Sequence, residues 1–188
     1  MTSWDAWHVP LSRAQLSIRE AIESLKAVGA EAQEVPLIVK LVENPRYTIP
    51  GLEVFHGAVD LETHDLIHIL LGRGLLPKDE AFTIGYTMGS TKCVGAIEET
   101  LFGFISKNFY PKFYRFGDDE LRIFHDAVRL AQVSECQPLD RLRREHVMDL
   151  TIAQARDRFG IEEDLLRAYY RIERRRFPNA AESRRLVD

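Results

Sequence analysis

Several features that would narrow the class of this 188-residue protein are scarce in its sequence. It has only two cysteines, Cys93 and Cys136, and no CxxC pair. A disulfide framework and a cysteine-based zinc motif are therefore excluded. We expect both thiols to be reduced, as in the cytoplasm. The formal net charge of -4 gives no general case for nucleic-acid binding, so we expect no nucleic-acid partner.

Long apolar runs are also missing. No window approaches the roughly 18 uninterrupted apolar residues of a membrane span. Residues 1–15 lack the basic segment followed by an apolar run that marks a signal peptide. We therefore predict a cytoplasmic protein, for which any membrane contact would be peripheral, on the inner face.

Apolar residues make up 45% of the chain, enough for one hydrophobic core in a single domain over residues 1–188. Their spacing is mostly helical, which predicts an all-α bundle of about seven helices. Residues 52–59 fit either a strand or the entry to a helix, and we favour the helix. The expected helices are 12–29, 36–44, 60–71, 77–107, 118–135, 139–159 and 161–177, with a frayed tail over 178–188.

The segment 60–82 gathers more potential metal ligands at a workable spacing than any other. It contains HDLIH at positions 64–68. At about 100° per residue, His64, Asp65 and His68 lie within one arc of a helix whose other positions are mostly Leu and Ile. A helix that is apolar nearly all round is buried, and its ionisable groups need partners. Two hydrogen-bonded core histidines would meet that need, and so would a divalent metal.

Glu80 extends this candidate site. Gly72 is expected to end the histidine-bearing helix and Pro77 to open the next one. In an antiparallel hairpin, Glu80 would then lie level with His68, although it also suits the first turn of a helix as an acidic residue. Two imidazoles and two carboxylates suit Zn²⁺, with Mn²⁺ or Fe²⁺ as alternatives. The predicted metal ligands are His64, Asp65, His68 and Glu80.

The pattern HDxxH, eleven residues and then a glutamate resembles the signature of the Coq4 family of ubiquinone-biosynthesis proteins. Gly72 also falls where that family tends to have a glycine. The resemblance covers roughly residues 58–105, the motif core of the single domain. It implies a helical protein with a metal site, usually taken as zinc, formed by the same four residues. It further implies a nearby apolar channel for a prenyl tail.

The resemblance also implies a function. Such a protein would bind a prenylated quinone precursor or a similar lipid. It would either organise other quinone-biosynthesis enzymes or remove the ring carboxyl oxidatively. The sequence does not decide whether the protein is an enzyme, and it names no catalytic residues. A homodimer is compatible with it. Any residue of the expected channel could equally be ordinary core. The candidate lining residues are Leu75, Phe82, Ile97, Leu101, Phe104 and Phe109.

Two other functions are compatible with the sequence. A fully ligated metal would be structural and would close the hairpin of a non-catalytic interaction protein. An HD-type metal-dependent hydrolase would instead use His56, His64 with Asp65, and Asp126. A basic cluster near the C-terminus fits a solvated helix end. It also fits a surface that attracts anionic lipid head groups, to which residues 107–115 would contribute basic and aromatic side chains. This cluster comprises Arg171, Arg174, Arg175 and Arg176.

Overall fold

The computed structural model describes residues 3–31, 59–108 and 115–186. Within these ranges the protein is built from α-helices joined by short turns and no strand is present, which confirms the predicted all-α bundle. None of these helices has both the length and the apolar character needed to cross a membrane. The helices are α1 (Ile18–Glu31), α2 (Leu61–Leu71), α3 (Pro77–Ser90), α4 (Ala96–Asn108), α5 (Asp118–Val133), α6 (Ile152–Phe159), α7 (Glu163–Arg176) and α8 (Ala181–Arg184). The predicted helix 36–44 and residues 52–58 lie outside the described ranges.

Helix α1 begins later than predicted, at Ile18, and continues past Gly29 to Glu31. Its capping box is formed by Ser17 and Glu20, each of which accepts a hydrogen bond from the other's backbone N–H, at 3.2 and 3.0 Å. The backbone N–H of Ile18 also donates to Leu150, 3.0 Å away. This pairing with a distant segment holds the chain extended at Ser17, so the helix start predicted at Ser12 is wrong.

Two long predicted helices are each divided. The predicted helix 77–107 breaks at residues 91–95, where Lys92 has φ of +59° and its ammonium group caps backbone carbonyls at the end of α5. Of the predicted helix 139–159, only Ile152–Phe159 is α-helical. The preceding residues form two 3₁₀ turns, because the backbone at Leu150 pairs with the start of α1. Gly160 ends α6 in the left-handed conformation, as expected.

The C-terminal tail is packed, in contrast to the frayed tail that was predicted. Ser183 and Leu186 are buried. The Ser183 hydroxyl donates to Glu173 at 2.9 Å, and the guanidinium of Arg185 pairs with Asp79. These contacts fasten α8 to the centre of the bundle, since Glu173 and Asp79 are themselves buried.

Helix α2, which carries the two motif histidines, is largely buried. Its bounds match the prediction: the Asp60 carboxylate caps the first turn by accepting from Thr63 N–H at 2.8 Å, and Gly72 follows the last residue with φ of +69°. Its last five apolar residues are at most 1% exposed. They are Leu66, Ile67, Ile69, Leu70 and Leu71.

The last four carbonyls of α2 all have partners. The first two accept from the backbone N–H groups of Arg73 and Gly72, at 2.9 and 3.1 Å, which is the Schellman arrangement. The third accepts from the Arg156 guanidinium at 2.8 Å, and the fourth from the Tyr170 hydroxyl at 2.5 Å. The end of α2 is therefore held from both α6 and α7.

Helix α3 packs closely on α5. Gly85 and Gly89 lie one turn apart on α3, and each meets α5 backbone, at Phe124 and Val128 respectively. A β-carbon at either glycine would collide with the facing carbonyl. This close approach sets the position of α3, and therefore of Glu80 in its first turn.

Candidate metal centre

The candidate centre lies where α2 and α3 meet. Helix α3 opens at Pro77, as predicted, and Asp79 accepts from the backbone N–H of Leu76 at 3.1 Å. This capping contact defines where α3 starts. Glu80 therefore stands in the first turn of α3 and faces the motif histidines of α2.

Three side chains converge at this point. The Nε2 atom of His64 lies 2.9 Å from Glu80 Oε2 and 2.9 Å from His68 Nε2. The Nε2 atom of His68 lies 3.4 Å from the other carboxylate oxygen, Glu80 Oε1. One potential ligand atom from each residue falls within 4.8 Å of the other two.

The distances and donor types of this trio fit a zinc ion. With metal–ligand bonds of about 2.0–2.1 Å, two ligand atoms at the corners of a tetrahedron lie about 3.3 Å apart. The two nitrogens are 2.9 Å apart, and they lie 2.9 and 3.4 Å from the two oxygens of one carboxylate, which is close to that spacing. Two imidazole nitrogens and one carboxylate form a ligand set suited to Zn²⁺, and Mn²⁺ or Fe²⁺ can also bind such a set.

Thr83 supports His68 from the opposite side of the ring. Its Oγ1 lies 3.4 Å from His68 Nδ1. In a neutral imidazole whose Nε2 binds a metal, Nδ1 carries the proton and donates it to a partner such as this hydroxyl. Thr83 was missed in the sequence, although it stands three residues after Glu80, on the same side of α3.

The electrostatics of the trio favour an ionised carboxylate. Burial tends to raise the pKa of Glu80, but electrostatic attraction to His68 and His64 and the hydrogen bonds with them lower it to about 2. Burial tends to lower the pKa of His68, yet Glu80 and then Asp65 and Asp79 raise it above its usual value. Without a metal, the buried carboxylate is therefore balanced by imidazolium.

The centre is accessible along one side. The side chain of His64 is 13% exposed, whereas those of Glu80 and His68 are 3% and 0% exposed. Asp65, the fourth predicted ligand, is half-buried and does not belong to the three-residue group. Burial, ahead of the opposing effect of the two histidines, raises the pKa of Asp65. The geometry thus brings together three of the four predicted ligands.

A buried ion network holds the connector between α2 and α3. Arg73 makes two hydrogen bonds to Glu173, at 3.0 and 2.6 Å, and lies 3.8 Å from Asp79. Its guanidinium lies over two rings, 3.9 Å from the centroid of Phe82 and 4.3 Å from that of Tyr170. Sequence reasoning missed this network, because no local pattern pairs residues one hundred positions apart.

The predicted lipid-lining residues separate into two groups. Leu75 and Phe82 are 7% and 0% exposed and belong to the hydrophobic core. Phe82 is enclosed by the Arg73 guanidinium and by aromatic side chains of α3 and α7. The other four are not described at side-chain level: Ile97, Leu101 and Phe104 of α4, and Phe109, which follows α4.

Comparison with protein-family models, with curated proteins and with solved structures gave no match. Any functional assignment therefore rests on the motif and on the geometry of the centre.

Proposed function

We propose that the protein is a Coq4-like metal-binding protein of ubiquinone biosynthesis that holds a prenylated quinone precursor or a similar lipid. One observation carries the proposal. The hairpin with the sequence pattern HDxxH-x11-E brings His64, His68 and Glu80 within 4.8 Å of one another. The same trio without the motif would support only a general metal site.

In this proposal each side chain has a defined task. His64 and His68 supply neutral Nε2 atoms, and Glu80 supplies a carboxylate, so that the three together hold a divalent ion, most simply Zn²⁺. Thr83 keeps His68 in the tautomer that leaves Nε2 free. A bound ion would supply a Lewis acid for an anionic head group.

Three protein ligands leave one coordination position of a four-coordinate ion available. Because the His64 side chain is 13% exposed, a ligand could reach an ion held there from this side. An available position suits the binding of a head group, whether the protein organises other quinone-biosynthesis enzymes or takes part in ring decarboxylation. Since a prenyl tail partitions into lipid, the proposal includes peripheral contact with the inner face of a membrane.

A structural metal in a non-catalytic interaction protein is the second candidate. Asp65 decides between the two, because a fourth protein ligand would close the centre. Its carboxylate lies outside the converging group, which favours the open site. An HD-type hydrolase is less well supported. The Asp126 carboxylate is engaged by Arg176 at 2.5 Å, and His56 lies outside the described residues.

Metal content tests the proposed centre. Purified protein is loaded with zinc, dialysed and measured by elemental analysis. The site variant is His64→Ala with Glu80→Ala. A matched control, His125→Ala with Glu99→Ala, removes another His–Glu contact of 3.0 Å that has no third ligand in the described residues. We expect near-stoichiometric zinc in the wild type and the control, and none in the site variant. Equal, negligible zinc in all three would refute the metal centre.

Two further measurements separate the candidate functions. Lipid extraction followed by mass spectrometry should recover a prenylated aromatic compound from the wild-type protein. Asp65→Asn should leave zinc affinity within a few-fold of the wild type if the centre is open. A large loss of affinity would instead favour the closed, structural site.

A further inference from the structure

Four arginines line an open cleft between the C-terminal end of α7 and α8. The cleft has a volume of about 520 Å³, which falls within the roughly 300–1,000 Å³ of small-molecule sites. Among the described residues, Pro178 completes the lining. The four arginines are Arg171, Arg174, Arg175 and Arg184.

These guanidinium groups have no acidic partners in the described part of the chain, where no ion pair involves any of them. Neighbouring arginines differ: Arg176 pairs with Asp126, and Arg185 pairs with Asp79. Glu173, which directly precedes Arg174, is 1% exposed and already accepts from Arg73 and a serine hydroxyl. Four positive charges are thus left together on a protein whose formal net charge is -4.

Clustering these charges opposes folding. Like charges three and four residues apart on a helix destabilise it, and Arg171 has such neighbours at positions 174 and 175. The C-terminal end of a helix favours cations and offsets part of this for Arg174 and Arg175 in the last turn of α7. This effect does not explain why Arg184 lies beside the other three, since Arg184 ends a separate helix of four residues.

The two residues that flank Arg184 in the sequence hold it at the cleft through their own contacts. Ser183 donates to the buried Glu173, and Arg185 pairs with the buried Asp79. The fold therefore anchors the segment that brings the fourth guanidinium to the other three. Guanidinium groups match the geometry of phosphate oxygens, to which each can donate two parallel hydrogen bonds.

We propose that this cleft binds a phosphate group, carried by a small phosphate ester or by the head group of an anionic lipid. The inference is independent of the metal centre, which uses other residues. The phosphate offsets part of the charge of the four arginines and so weakens their mutual repulsion. Both sources of phosphate present the same oxygens to the cleft, so the experiment has one arm for each.

The soluble arm titrates inorganic pyrophosphate by calorimetry in about 150 mM salt, where distant surface charges are largely screened. The membrane arm sediments the protein with phosphatidylcholine vesicles, with and without phosphatidic acid. The test variant is Arg175→Gln with Arg184→Gln, one change on each side of the cleft. The matched control is Arg13→Gln with Arg141→Gln, two exposed arginines elsewhere, which alters the net charge equally.

We expect the wild type and the control to bind in at least one arm, and the cleft variant to bind about tenfold more weakly or worse. Pyrophosphate binding alone indicates a soluble ester, and binding only to vesicles with phosphatidic acid indicates a head group. Absence of wild-type binding in both arms overturns the proposal, as does an equal loss in the cleft variant and the control. If the cleft variant folds poorly by circular dichroism, Arg171→Gln with Arg174→Gln replaces it.

Discussion

Replacement of Arg73 by methionine is expected to lower the free energy of unfolding by about 3–5 kcal/mol. The arginine is fully buried and makes two hydrogen bonds to Glu173. Methionine retains an apolar stem against the surrounding rings but leaves the buried carboxylate with one remaining donor, the Ser183 hydroxyl at 2.9 Å. The expected loss arises mainly from this uncompensated charge. It is a large part of the roughly 5–15 kcal/mol that stabilises a typical domain.

Urea unfolding at neutral pH, followed by circular dichroism, measures this loss as a shift in midpoint at constant slope. Arg19→Met is the matched control, because the ion pair of Arg19 with Asp149 is exposed, at 56% and 89% for the two side chains. It should cost less than about 1 kcal/mol. Arg73→Met combined with Glu173→Leu removes both charges and should recover much of the stability. The reasoning fails if Arg73→Met costs no more than Arg19→Met, or if the double variant is as unstable as the single.

Three further predictions concern the hairpin. Gly72→Ala should lower the free energy of unfolding by about 1–3 kcal/mol, since φ is +69° and the new β-carbon would lie 2.9 Å from Leu11; an unchanged urea midpoint would contradict this. Thr83→Val should weaken zinc binding about tenfold in a chelator-competition assay. Thr87→Val, whose hydroxyl donates to a backbone carbonyl at 2.7 Å, should leave zinc binding unchanged. Equal effects of the two variants would exclude a role of Thr83 in orienting the imidazole. In metal-free protein the pKa of Glu80 falls from 4.5 to about 2 on folding, so its stabilising effect is present above pH 4.5 and is lost as pH decreases toward 2. Urea midpoints across that range should therefore vary less in Glu80→Gln than in the wild type, and identical profiles would count against the ion pairing.

The bounds of α2 and the start of α3 could be predicted because local groups determine them. The Asp60 side chain caps one end of α2, Gly72 adopts the left-handed conformation at the other, and Pro77 opens α3. The prediction of the metal site also depended on local helix geometry. The i, i+4 spacing places His64 and His68 on one face, and a short connector returns a first-turn glutamate to them.

The start of α1 could not be predicted from local patterns. Ser12 and Ser17 are each followed three residues later by a residue suited to a capping box, Gln15 and Glu20. Only the backbone pairing of Ile18 with a distant segment selects the second. The division of the predicted helix 139–159 has the same origin, since its break lies in that distant segment.

The basic C-terminal cluster shows how tertiary contacts redefine a group that is visible in the sequence. Four arginines at positions 171–176 form one patch when only sequence distance is considered. In the fold, Arg176 does not belong to the cleft cluster, because it pairs with Asp126. Arg184 does belong to it, because contacts of the C-terminal tail hold it there. Which charges remain unpaired is therefore decided by contacts between separate helices.

The sequence alone determined the helical class, the hairpin and the convergence of two histidines with a glutamate, because helix period and capping act over a few residues. Only the tertiary structure decided which charges are neutralised inside the bundle. Arg73 and Glu173 are one hundred residues apart, and their pairing follows from their burial at one point. Removal from water makes a partner necessary for each buried charge, but the packing of whole helices determines which partner it meets.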